Sequence, residues 1–164
     1  MSLEQSTAPS TEAVSTADLK SWMRVDASDE DTLIGSLAGA ARNAFETETH
    51  RQLITATWKL RLTVFPAGEI VLPVSPLQSV TSITYVDNDD ATQTVSSDDY
   101  DVDTKSTPGR IRPSSGNDWP SDSRGHTEDV IITFVAGYGD ASSDVPDGIT
   151  TAVKLLAAHW FENR

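Results

Sequence analysis

The segment ITATWKLRLTV, residues 54–64, decides the fold because its side chains alternate between apolar and polar. Apolar residues occupy every second position from Ile54 to Val64, and Thr, Lys and Arg fill the positions between them. A period of two is typical of a strand with one buried face. The segment therefore predicts a half-buried β-strand, and it marks the point where a helical pattern gives way to a β section.

Two helices are predicted before this strand, over about residues 15–24 and 28–51. Ser15 and Asp18 have the spacing of a capping box at the start of the first helix. Ser28 is the expected N-cap of the second, and the three acidic residues after it suit the positive end of the helix dipole. Apolar residues then follow at helical spacing, which predicts one buried face for each helix.

The residues after the first strand predict a β insertion over about residues 54–138 and a last helix over about 146–163. Segment 130–138 (VIITFVAGY) is nearly continuous in apolar residues, so we expect it to be the most buried strand. Residues 1–14 lack hydrophobic periodicity and predict a flexible N-terminal arm. Shorter strands are expected as a return strand at 70–72, a hairpin of 79–87 with 93–95, and a hairpin of 100–102 with 110–112.

The fold class that follows is α+β, a small bundle of three helices with an antiparallel β insertion between the second and the last helix. Residues 15–164 are expected to form one domain, since 164 residues suit a single domain. Trp22 and Trp58 lie on apolar faces and are expected in the core.

Composition limits the function classes. The chain carries 25 acidic and 12 basic residues, a formal net charge of −13, and no Cys. The missing Cys excludes disulfides, thiolate zinc sites and Cys nucleophiles. A nucleic-acid binder needs Lys and Arg to replace counterions, so sequence-specific binding is not expected. Neither a membrane span of about 18 apolar residues nor a secretory leader is expected.

No segment has the complete pattern of a catalytic or metal site. Seven Asp lie between residues 87 and 103, and three alternate as at the start of a calcium-binding loop. Thr104 stands where that loop needs Gly and Arg110 where it needs Glu. The three His have no metal-ligand spacing. We therefore predict no catalytic, cofactor or metal site and no enzymatic activity.

Trp119 lies between Asp118 and Pro120 in a polar loop. A large ring in such a loop either anchors the loop or contacts a partner, and the residues leave both interpretations open. They also leave open a ligand- or glycan-binding module that uses Trp119 and the acidic loops, and a hydrolase that uses a pair of Asp.

Several segments, in this order, resemble one protein family. They are LKSWMRVD at 19–26, TWKLRL at 57–62, PLQSVTSITYVD at 76–87, VIITFVAGYG at 130–139 and HWFENR at 159–164. The chain resembles the head–tail connector, or adaptor, proteins of tailed bacteriophages and related gene transfer agents. Another virion component, such as a stopper or tail-completion protein, is the alternative within the same class.

The resemblance implies a structural protein of the virion at the head–tail junction, assembled in the cytoplasm of the bacterial host. Such proteins form a ring, usually a dodecamer, below the portal, where they extend the DNA channel and dock the stopper or tail. The implied partners are the portal protein, a stopper, head-completion or tail protein, and further copies of the chain in the ring. DNA would pass through the channel without specific binding, and no membrane is involved.

Candidate interface residues follow from this hypothesis. Side-by-side subunits would pack the 28–51 helix and the edges of the β insertion against each other. The expected portal interface consists of His159, Trp160, Phe161 and Arg164. The expected subunit or tail-side interface consists of Arg42, Arg110, Arg112 and Trp119. The expected acidic surface, or channel lumen, consists of Asp87, Asp89, Asp90, Asp98 and Asp99.

Overall fold

The computed structural model describes residues 1–163, which form α+β structure in two compact units. The β unit consists of Met1–Ala8 and Ala56–Gly137. The helical unit consists of Pro9–Thr55 and the described residues from Tyr138 onward. The three helices and the β strands between the second and third of them confirm the predicted fold class.

The β unit contains two antiparallel sheets. The larger has five strands in the order β1-β2-β8-β4-β5, and the smaller has three in the order β3-β7-β6. The strands are β1 (Ser2–Thr7), β2 (Ala56–Leu62), β3 (Ile70–Val71), β4 (Leu77–Val86), β5 (Thr92–Thr94), β6 (Tyr100–Asp103), β7 (Arg110–Pro113) and β8 (Val130–Ala136). A short 3-10 helix, Ser97–Asp99, precedes β6.

The alternating segment forms β2 and pairs with β8. Leu60 lies opposite Ile132 and Trp58 opposite Phe134, which puts the apolar residues of both strands on one face. Leu60, Ile132 and Phe134 are fully buried. The smaller sheet contributes Ile111 to the same apolar cluster. The alternation thus selects the face of the large sheet that forms the core of the β unit.

Strand β8 lies between β2 and β4, which explains its nearly continuous apolar sequence. Four of its seven residues are buried and none is exposed. This confirms the prediction that it is the most buried strand. The two predicted hairpins are also confirmed, since β4 pairs with β5 and β6 pairs with β7.

The predicted return strand does not pair with the strand before it. Ile70 lies opposite Ile111, so β3 belongs to the smaller sheet. Both edges of β2 are already occupied, one by β1 and the other by β8. A strand whose two edges are paired has no backbone donors or acceptors left for a third neighbour, which is why β3 pairs elsewhere.

The predicted flexible N-terminal arm is the largest difference between expectation and structure. Ser2–Thr7 forms β1 and pairs antiparallel with β2, with Leu3 opposite Leu60. Ala13 and Val14 are buried in the helical unit. All six residues of β1 are exposed, so the strand is held by backbone pairing and its sequence carries no hydrophobic period.

The helical unit contains α1 (Thr16–Met23), α2 (Asp31–Thr49) and α3 (Asp147–Glu162). The buried residues Leu19, Ile34, Leu53, Val153 and Ala157 belong to one apolar cluster. A short 3-10 helix, Ser142–Asp144, precedes α3. Among residues 1–163, no helix combines the length and the apolar character that crossing a membrane requires.

The helix termini match the sequence in one case and differ in another. The Ser15 hydroxyl accepts from the Asp18 N–H at 3.1 Å, which confirms the capping box of α1. The N-cap of α2 is Glu30, whose side chain makes no capping bond, and not Ser28. The Ser28 carbonyl accepts from the Asp31 N–H at 3.2 Å, so Ser28 begins a turn that leads into the helix.

Gly109 offers a test of packing in the β unit. A Cβ at this position would lie 2.6 Å from Cβ and Cδ2 of Leu77, both part of a buried core side chain. We expect Gly109→Ala to lower the free energy of unfolding by about 1–3 kcal/mol in urea titrations, because overpacking forces neighbours apart. Gly68→Ala, with no heavy atom within 4 Å of the new Cβ, is the matched control and should be neutral. Equal stability of the two variants would contradict this packing.

Candidate assembly surfaces

Asp87 is a structural residue of the β4–β5 turn and not part of an acidic surface. Its carboxylate accepts hydrogen bonds from the N–H groups of Asp89 and Ala91, each at 2.9 Å, and from Nε2 of Gln93 at 2.6 Å. The Gln93 bond and the Ala91 bond keep the pKa of Asp87 below its usual range. Asp87 is buried, and not at the surface as expected, because its carboxylate turns toward the N–H groups of its own turn.

Asp90 and the buried Asp129 are joined by Arg124. The Arg124 guanidinium donates to Asp129 Oδ1 at 2.8 Å and Oδ2 at 3.2 Å, and it also donates to Asp90. The two-bond contact with Arg124 lowers the pKa of Asp129 more than burial raises it. The arginine therefore fastens the loop before β8 to the β4–β5 turn and neutralises part of the acidic surface.

The other predicted acidic residues remain at the surface. Asp89, Asp98 and Asp99 are exposed. Asp99 accepts a hydrogen bond from Nδ2 of Asn117 at 3.1 Å. Asp90 is exposed as well, so four of the five Asp expected at an acidic surface are accessible to solvent.

Trp119 anchors its loop. The indole Nε1 donates to the Gly68 carbonyl at 2.7 Å. Its ring stacks on Phe65 with centroids 5.2 Å apart and planes at 10°, and Phe65 in turn meets Tyr85 edge-on at 5.6 Å. Of the two interpretations that the sequence left open, these contacts support the anchor.

Arg110 and Arg112 project from β7 opposite the acidic residues of β6. Arg110 forms an ion pair with Glu69. Arg112 is 72% exposed, and its Nε lies 3.7 Å from Asp101 Oδ2. So long and exposed an ion pair contributes little stability. The Arg112 guanidinium can therefore turn to a carboxylate on another protein at small cost.

Arg42 does not present its charge at an open surface. Its Nε donates to Glu12 and another guanidinium nitrogen donates to Glu46, each at 2.7 Å, and the side chain is largely buried. Glu46 also accepts from the Leu53 N–H at 2.8 Å, although burial keeps its pKa raised. Arg42 holds the helical unit together, and the Glu12 contact was missed because it spans 30 residues of sequence.

The end of α3 presents a mixed surface. His159 is exposed, whereas Trp160 and Phe161 are half-buried and pack against the core of the helical unit. Nδ2 of Asn163 donates to the His159 carbonyl at 2.8 Å and closes the last turn. Arg164, the fourth residue of the predicted portal interface, lies outside the described residues.

The described part of the chain brings no set of ligands together for a metal ion. Within residues 1–163, no group of three or more His, Cys, Asp or Glu side chains could hold one.

Comparison with known proteins identifies the family of the chain. A family model described as "Phage gp6-like head-tail connector protein" matches residues 15–107, more than half of the chain. The chain belongs to the phage gp6-like head-tail connector family. This confirms the resemblance found in the sequence and the predicted role as a virion connector at the head–tail junction.

The solved structures that the chain is similar to come from gene transfer agent particles. The chain is similar to a chain in the neck of an empty gene transfer agent particle computed with C6 symmetry, with a TM-score of 0.85, 29% identity, and coverage of 99% of this chain and 84% of that chain. A chain in the virion of the native particle (TM-score 0.85) and one in its neck computed with C12 symmetry (TM-score 0.83) are each 28% identical over the same shares. No curated protein matches the chain. Assembly as a ring fits the sixfold and twelvefold symmetry.

The buried carboxylates predict how stability depends on pH. The pKa values of Asp87 and Asp129 are lower in the folded chain than the usual aspartate value of about 3.9. Their stabilising effect is therefore complete above that value and is lost as the pH falls through the folded values. We expect the free energy of unfolding from urea titrations to decrease as the pH falls below about 4.

Asp87→Asn should lower the free energy of unfolding at neutral pH. It should also make that free energy depend less on pH in the acidic range. Asp89→Asn is the matched control, because the exposed Asp89 side chain lies in the same turn and should be replaceable at no cost. The same acid dependence in D87N and the wild type would contradict the role given to Asp87.

Proposed function

We propose that the protein is a passive ring adaptor that binds the portal, extends the DNA channel and docks the next neck or tail protein, without catalysing a reaction. The observation that carries the proposal is the similarity to neck chains of gene transfer agents over 99% of this chain. Because the structural similarity covers both compact units, it supports a role in the neck for the whole chain.

The ring is a dodecamer of identical subunits. The C12 symmetry of one similar neck structure supports this number. A ring closes by a heterologous contact, in which one surface of each subunit meets a different surface of the next. The α2 helix and the edges of the β unit are the expected contributors.

The portal is bound by the end of α3. The exposure of His159, Glu162 and Asn163 supports this role. Trp160 and Phe161 act indirectly, because their packing against the helical core fixes the direction of the last turn. Arg112, with its weak contact to Asp101, and the loop held by Trp119 form the side that meets the stopper or tail.

DNA passes the ring without adhering to it. The net charge of −13 and the exposed Asp89, Asp98 and Asp99 support a wall that repels phosphate. DNA adheres to proteins through Lys and Arg that replace its counterions. An acidic wall offers no Lys or Arg to replace the counterions of DNA, so the DNA passes without binding.

The portal contact is tested by substitutions at the exposed end of α3. We expect H159A/E162A to reduce co-sedimentation with the portal protein. The double substitution removes the polar side chains of the exposed last turn and leaves the packing of Trp160 and Phe161 unchanged. Gly148→Ala, at the opposite end of the same helix and with no heavy atom near the new Cβ, is the control. Undiminished portal binding by the double variant would contradict the assignment, and binding to a tail-tube protein instead would indicate a stopper.

The acidic wall is tested by charge reversal. Reversing two exposed carboxylates, D89K/D98K, should give assembled rings a measurable, salt-sensitive affinity for duplex DNA in a mobility-shift assay. E48K/D140K makes the same change in net charge at exposed positions of the helical unit. Equal DNA retention by the two variants would argue against a channel role for Asp89 and Asp98.

A further inference from the structure

The larger sheet of the β unit ends in two different open edges, one formed by β1 and the other by β5. Within the described part of the chain, the backbone of Ser2–Thr7 pairs with β2 alone, and that of Thr92–Thr94 pairs with β4 alone. An open edge presents a row of unpaired N–H and C=O groups, which can pair with a strand of another chain.

The unpaired backbone groups of β5 are known from its pairing with β4. The Val95 N–H donates to the carbonyl of Ile83 in β4 at 2.9 Å. Alternate residues of a strand direct their backbone groups to opposite edges. Gln93 therefore directs its backbone groups toward β4, and the N–H and C=O groups of Thr92 and Thr94 point away from the sheet.

Both edges lack the residues that most often protect an open strand. Lys and Pro at an edge discourage pairing with other chains, and neither β1 nor β5 contains them. The one charged residue, Glu4, accepts a hydrogen bond from Arg61 of its own sheet at 3.0 Å. The register of β1 is regular from Ser2 to Gln5, so this part of the strand can receive another strand.

We propose that β5 of one copy pairs with β1 of the next copy, so that the larger sheet continues from subunit to subunit around the ring. The inference rests on the proposed ring adaptor and names a contact that closes the ring. A ring needs two different surfaces on each subunit, whereas β1 with β1 or β5 with β5 gives a two-fold dimer and stops. The sixfold and twelvefold symmetry of the similar neck structures supports a second copy as the partner.

The strand directions suit this contact. Every pair of neighbours in the larger sheet is antiparallel, so β1, β8 and β5 run in the same direction. A sheet that continues without turning over therefore brings β5 of one copy parallel to β1 of the next. Parallel pairing uses evenly spaced hydrogen bonds, and Thr92 and Thr94 supply the donors and acceptors on the β5 side.

A proline at Thr94 tests the backbone contact. Because the Thr94 N–H points away from β4, Thr94→Pro keeps the hydrogen bonds between β4 and β5 and removes a donor from the open edge. We expect T94P to be lost from purified particles in immunoblots. Thr94→Ala keeps the N–H, is the matched control and should enter particles like the wild type. Equal incorporation of T94P and T94A would overturn the proposed contact.

Cysteine cross-linking tests the same contact with the backbone intact, and it decides the matter if T94P fails to fold. The chain has no Cys, so introduced cysteines are the only thiols. Glu4 lies opposite Lys59 and Thr94 opposite Thr84, so both side chains lie on the face of the sheet that points away from the core. E4C/T94C is assembled in particles and treated with a short bis-maleimide. We expect a ladder of covalent oligomers in denaturing electrophoresis, since each subunit links to both neighbours.

The single variants are the controls. E4C alone and T94C alone should give no covalent product, and rings assembled from an equal mixture of the two should give dimers and nothing larger. Dimers from either variant alone would indicate pairing of like edges and would overturn the proposed contact. E4C/T94C that enters particles like the wild type but gives no ladder also overturns it and leaves the ring adaptor intact. A wild-type chain that is absent from particles overturns the ring adaptor itself.

Discussion

The pairing of β2 with β8 is the constraint on which the β unit depends. It runs over seven residue pairs, from Ala56 opposite Ala136 to Leu62 opposite Val130. Because side chains alternate across a strand, a slip by one residue would turn the apolar side chains of one strand away from the core. The register thus fixes the buried face, and β1 and β4 then occupy the remaining edges of the pair. The smaller sheet covers this core through Ile111 and the residues around β3.

Acidic residues serve two separate purposes in this chain. Asp87 and Asp129 are buried, and each is surrounded by hydrogen-bond donors that stabilise its charged form. Asp89 and Asp98 are exposed and contribute to the negative potential of the surface. Asp87 and Asp89 are two residues apart in the sequence and are the same residue type. Net charge alone therefore does not say which carboxylates contribute to the negative potential of the surface.

The features that the sequence predicts well are those encoded by local patterns. The alternation around Trp58 defines β2, and the spacing of Ser15 and Asp18 defines the start of α1. The resemblance to connector proteins likewise came from segments read in order, and the family comparison confirms it.

The features that the sequence does not predict depend on partners distant along the chain. Strand β1 has only exposed side chains, so nothing in its own residues separates it from a mobile arm. The sequence suggests that Arg42 is available for an interface. In the structure it donates a hydrogen bond to Glu12, which is 30 residues away in the sequence. Trp22 has the spacing of a core residue, but its side chain is 46% exposed and its ring lies beside the Lys154 ammonium group, a residue 132 positions later in the chain.

Each unit consists of two separate stretches of the chain, which passes from one unit to the other after Ala8, Thr55 and Gly137. Neither unit can be cut out as a continuous fragment. A fragment of residues 56–137 would lack β1 and expose the free edge of β2. An unpaired strand edge can pair with another chain and so promotes aggregation. Recombination between related genes could exchange either unit only by joining the chain at several points at once, so the two units are expected to be inherited together.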